Sequence, residues 1–136
     1  MTCYAALIDG ACGAHGVSFP DAPGCTAMGK TMEEAIANAG RALAEWVSYA
    51  VASRLELPGV RPVDELRSDQ EVVEQLAQGA AIAVVPLVME SGSLVRANLS
   101  IDSGLLAAID EAAGRAGLTR SAFLAGAAKE KLLAGI

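Results

Sequence analysis

From Val95 to Ile101 the sequence alternates apolar and polar residues without a break. Val95, Ala97, Leu99 and Ile101 fall on one face of an extended strand, and Arg96, Asn98 and Ser100 on the other. Such a strand is not stable alone, because its backbone N–H and C=O groups need partners, and the residues that follow read as helix. The simplest partner is the same strand of a second copy. The resulting two-stranded ribbon displays Arg96, Asn98 and Ser100 on its polar face. Arginine and asparagine match the edges of guanine and adenine in a DNA major groove, and Ser100 is short and less selective. On a solitary strand these three would be ordinary solvated side chains; the ribbon is what would make them readers of sequence.

The following residues support that arrangement. Asp102 and Ser103 are able to cap a helix on which Leu105, Leu106, Ile109, Ala112, Ala113 and Ala116 form one stripe. Gly117 suits the left-handed position just past a helix end. Thr119 then caps a second helix over Arg120–Ala134, with Phe123 and Ala127, and Leu124, Ala128 and Leu132, at fourfold spacing. The start of this helix, Thr119-Arg120-Ser121, is expected to aim free amides at a phosphate and fix the register on DNA. The plainer alternative is a helical hairpin that serves dimerisation alone.

Charge divides the 136 residues in two. Residues 1–92 carry five basic and twelve acidic side chains and residues 93–136 carry five and four, giving −7 and +1 of the net −6. A reading module near neutrality tolerates DNA, whereas the acidic part suits a basic partner or simply a soluble surface. Two modules are therefore expected, residues 1–90 and 91–136, joined at Glu90-Ser91-Gly92-Ser93. Cys3, Cys12 and Cys25 are odd in number and lack CxxC spacing, which favours reduced thiols, a cytoplasmic location and no metal site, even with His15 nearby. The apolar run Ala80–Met89 is too short to span a bilayer and contains Pro86, so no membrane association is expected.

The first module reads as α+β. Strands are expected at Cys3–Asp9, Val17–Phe19, Cys25–Gly29 and Ala81–Met89, forming a small mixed sheet. Thr31-Met32-Glu33-Glu34 is a capping box opening one long helix to about Arg54, with Ile36, Ala39, Leu43, Trp46, Val47, Ala50 and Val51 at helical spacing. Pro20-Asp21-Ala22-Pro23-Gly24 is a stiff loop, as is Leu57–Pro62, and Ser68 is placed to cap a short helix through Gln78 whose Val72, Val73 and Leu76 face inward.

Arg96–Ile101, Leu105–Ala113 and Gly117–Leu124 together resemble a ribbon-helix-helix DNA-binding domain. In the first module, Gly16–Cys25, with its Phe19-Pro20-Asp21-Ala22-Pro23-Gly24-Cys25 run, and Gly29–Ala35 resemble the HicB-type antitoxin signature. The resemblance implies a partial RNase H-like domain followed by a ribbon-helix-helix domain. It also implies an antitoxin that neutralises a HicA-type mRNA-cleaving toxin and, as a homodimer or larger assembly, represses its own operon on double-stranded operator DNA. The toxin of such pairs is small and basic, so contact is expected around Phe19, Asp21, Ala22 and Pro23, where a rigid loop needs little ordering; a loop that merely packs on its own sheet is the competing role. An RNase H-like fold raises the question of two-metal catalysis. Asp9, Glu33 and Glu34 supply its carboxylates poorly, Glu33 and Glu34 being explained by the helix dipole and capping box, so neither enzymatic activity nor a cofactor is expected. The alternative to the antitoxin reading is a ligand-responsive ribbon-helix-helix repressor without a toxin.

Overall fold

The computed structural model describes residues 1–134; Gly135 and Ile136, the end of the expected second module, lie outside the described residues. The described residues divide into two units, one of Met1–Met89 with residues 132–134, the other of Glu90–Lys131.

In the first unit, β1 (Cys3–Ala11), β2 (Ala14–Ser18), β3 (Thr26–Gly29) and β4 (Ala81–Pro86) form one sheet in the order β3-β2-β1-β4. Three helices, α1 (Met32–Ala52), α2 (Val63–Leu66) and α3 (Gln70–Ala77), complete the unit, which is α+β as expected. The sheet is antiparallel throughout rather than mixed. Two hairpins set β1, β2 and β3, and after α1–α3 the chain returns so that β4 runs against β1, pairing Tyr4 with Val85 and Ile8 with Ala81. The first hairpin is tighter than expected: β1 reaches Ala11 and β2 already begins at Ala14. β4 ends at Pro86, and just beyond it the Leu87 N–H still donates to the Thr2 carbonyl at 2.9 Å.

The apolar run of β1 is explained by its central place, with both faces covered. Tyr4, Ala6 and Ile8 pack with Ala35, Ala39, Leu43 and Val47 of α1, joined by Phe19, Ala22 and Cys25. Ala5 and Leu7 face the other way and pack with Leu66 of α2 and Val72 of α3. The Tyr4 and Phe19 rings meet edge to face, 6.4 Å between centroids. Helix α1 starts at the expected cap, the Thr31 hydroxyl accepting the Glu34 N–H at 3.1 Å. Its inward face is the expected one except that Val51 is exposed and Ile36 and Trp46 are only half-buried. β3 passes so near the start of α1 that a Cβ on Gly29 would collide with the backbone nitrogen of Ala35. Helix α2 was not expected, and Asp69 rather than Ser68 caps α3, its carboxylate accepting the Glu71 N–H at 3.0 Å. Val72 is buried there, while Val73 is exposed.

The second unit contains α4 (Ser103–Ala116) and α5 (Arg120–Leu133) as far as Lys131. Asp102 caps α4, accepting from the Leu105 N–H at 3.0 Å, and Gly117 ends it at φ +69°, a conformation that disfavours any side chain. Thr119 caps α5, its hydroxyl accepting the Ala122 N–H at 3.1 Å. Residues 93–102 are neither helix nor strand, so the strand expected at Val95–Ile101 has no ladder partner among the described residues of its own chain.

Candidate functional site

In the second unit, Arg96, Asn98 and Ser100 are all exposed, and so is every residue from Ser91 to Ser100. The apolar members of the segment share that exposure: Leu94 is fully exposed, Val95 is 90% exposed and Leu99 is 67% exposed. Leu105 on α4 and Leu118 in the turn before α5 are exposed as well. Large aliphatic side chains exposed so near one another in the sequence are the kind of surface that interaction sites use. Ile109 and Ala113 on α4 are buried.

Thr119, Arg120 and Ser121 stand together at the start of α5 and all three are exposed. The Thr119 side chain is engaged in capping. Arg120 is engaged too: its Nε and Nη2 donate to Oδ1 and Oδ2 of Asp110 on α4, each at 2.8 Å. The guanidinium holds the Asp110 carboxyl below the usual carboxylate range. Ser121 is the one of the three whose side chain has no such task among the described residues.

In the first unit, the loop between β2 and β3 is largely turned inward. Phe19 and Ala22 are core residues and Asp21 is only 4% exposed. Of the four loop residues expected at a partner surface, Pro23 alone is exposed; Gly24 beside it is exposed and Pro20 is half-buried. The physical reason is that the loop is held from three sides. Asp21 Oδ1 accepts from Arg61 Nε at 2.6 Å and its Oδ2 from the Arg61 backbone N–H at 2.8 Å. Arg61 Nη1 continues to Asp69 Oδ2 at 3.0 Å, tying the loop to the cap of α3. On the opposite side the Trp46 indole N–H donates to the Pro23 carbonyl at 3.2 Å. The Arg61 hydrogen bond lowers the Asp69 carboxyl pKa from its ordinary value, while burial raises that of the Cys25 thiol.

Between this loop and α3 lies a groove of about 290 Å³, lined by Pro20, Pro23 and Gly24 on one wall and Asp69, Glu71 and Gln75 on the other. Its mixed apolar and acidic rim is the part of the loop region that solvent reaches. Arg61, Asp69 and Asp110 are residues of consequence that the sequence did not single out. Arg61 lies 40 positions from Asp21 in a stretch read only as loop, and no spacing rule connects residues so far apart.

Among the described residues no three His, Cys, Asp or Glu side chains gather where they would hold a metal ion, and no helix is long and apolar enough to cross a membrane. Cys3 and Cys12 are exposed free thiols.

Comparison with known proteins gives the same architecture. The chain is similar to the antitoxin HicB of Burkholderia pseudomallei, with 30% identity, a TM-score of 0.55, and coverage of 97% of this chain and 99% of that one. It also shares its fold with a chain of the HicA3 and HicB3 toxin-antitoxin complex, at 20% identity and TM-score 0.52 over 65% of this chain and 99% of that one. An uncharacterized 14.9 kDa protein from the rep-hol intergenic region of Haemophilus phage HP1 is 28% identical over 95 residues, 70% of this chain and 69% of that protein. Residues 4–128 match the HicB-like antitoxins of bacterial toxin-antitoxin systems, and a match of that extent, over both units, means that the chain belongs to the HicB-like antitoxin family.

Proposed function

We propose that this antitoxin neutralises a HicA-type RNA-cleaving toxin through its first unit and represses its own operon through its second. The observation that carries the operator reading is the exposure of Val95 and Leu99 together with Arg96, Asn98 and Ser100 on a segment without a ladder partner. Two chains pairing these segments antiparallel would satisfy both backbones and cover one apolar face. The same pairing would present Arg96 and Asn98 to guanine and adenine, each pair discriminating by roughly 1–3 kcal/mol. Footprinting on the promoter of its own gene tests this: Arg96→Ala lowers sequence preference, whereas Ser121→Ala weakens binding evenly across sequences. Equal affinity of the native protein for operator and scrambled duplexes would remove the repressor reading.

The toxin contact is assigned to the exposed rim of the first unit, Pro20, Pro23 and Gly24 facing Asp69 and Glu71 across the groove. Buried Phe19, Asp21 and Ala22 act from beneath by holding that rim in one shape, which limits the ordering cost of binding. An acidic unit also opposes a basic RNA-binding surface and steers its approach. Copurification from the native host followed by mass analysis identifies the partner. Pro23→Arg then places a like charge against a basic toxin and is expected to weaken capture about tenfold.

A further inference from the structure

Arg120 opens α5, at the end of a helix where a cation opposes the positive pole of the backbone dipole. Its guanidinium is held from α4 instead, donating through Nε and Nη2 to both oxygens of Asp110 at 2.8 Å. Arginine and carboxylate meeting two-pronged is the strongest and most directional form of this pair. The contact spans the turn Gly117-Leu118-Thr119 and sets the first turn of α5 against α4. Beside it, Thr119 accepts the Ala122 N–H. The N–H groups of Arg120 and Ser121, which have no partner within a helix, stand at its open end.

We infer that Arg120 serves operator binding as a positioning residue rather than as a phosphate contact: clamped to Asp110, it aims Ser121 and the neighbouring backbone N–H groups at the phosphate. The inference rests on the operator reading proposed above. The pair is modest in strength because the Arg120 and Asp110 side chains are 54% and 45% exposed, yet reaching a phosphate would still exchange two charge-assisted hydrogen bonds to one anion for a similar set to another. A neutral pair also contributes no net cation to counterion release on DNA. What the clamp supplies is direction.

The test is a fluorescence-anisotropy titration of the full-length protein against a duplex spanning the promoter of its own gene, at several salt concentrations, with a thermal melt of every variant. Asp110→Asn and Arg120→Ala are each expected to weaken binding roughly fivefold, the double variant no further than either. Exchanging the pair, Asp110→Arg with Arg120→Asp, rebuilds the clamp with reversed polarity and is expected to recover binding. Ser121→Ala costs affinity in the native protein and nothing more in the Asp110→Asn background, a coupling that lowered stability alone does not produce. Tighter binding by Asp110→Asn with a steeper salt dependence means that a freed Arg120 grips phosphate, and overturns the inference. Failure of the exchanged variant to recover binding while still melting cooperatively does the same. Native protein without preference for the promoter duplex is a separate result, which removes the operator reading and this inference with it.

Discussion

Asp21 spends its charge inside the protein, joining three segments distant in sequence through Arg61 and Asp69. Removing it leaves the Arg61 backbone N–H and Nε without their acceptor. Because a third of the Arg61 side chain remains in water, Asp21→Ala is expected to cost about 1–3 kcal/mol rather than the larger penalty of a fully sequestered charge, read from urea unfolding. Gly117→Ala, which forces a side chain into φ +69° at the end of α4, is expected to cost roughly 1–2 kcal/mol by the same measurement. The hydrogen bonds from Arg61 and Arg120 depress the Asp69 and Asp110 carboxyls in the folded state. A depressed folded pKa stabilises fully above the unfolded value, about 3.9, and that stabilisation vanishes as pH falls through the lower folded value. Melting temperature is therefore expected to hold on the neutral side and to decline as acid is added below about pH 4, which a pH series of thermal melts checks. At this scale the sequence showed which side chains were able to pair but not with whom, since Asp21 and Arg61 carry no mutual spacing.

Elements were legible wherever periodicity or chemistry acted over several residues. The Thr31 cap, the Asp102 cap and the Gly117 stop each appear at the expected residue. Helix α2, at four residues, is shorter than the period that would announce it. The displaced cap of α3 reflects Asp69 standing one residue nearer the helix than Ser68, with a charged acceptor for the free amides. Strand direction was not legible, because it depends on where α1–α3 deliver the chain rather than on any residue of β4. The segment Val95–Ile101 was legible as an alternating strand, and in the single chain it is exposed through Ser100. If two copies pair through it, Ala97→Pro removes a ladder donor and is expected to shift the mass in analytical ultracentrifugation from two chains to one, and to abolish operator binding. The first unit, which does not share that segment, is expected to keep its circular dichroism signature.

Across the whole molecule, the sign of the net charge changes at about residue 92, and the contacts divide the chain between Met89 and Glu90. What composition did not reveal is how the acidic unit uses its carboxylates: one is buried in a clamp, and others rim a groove. The two proposed tasks respond differently to salt. Operator affinity is expected to fall linearly on a log–log plot as salt rises, while the apolar part of a toxin contact at Pro20 and Pro23 resists it.

The stretch from Ser91 to Ser100 has one further consequence. A backbone that is accessible and unpaired is what a protease needs, and pairing with a second copy would hide it. Turnover would then fall first on newly made, unassembled copies, so that the quantity of antitoxin in a cell is governed by how quickly its chains find each other.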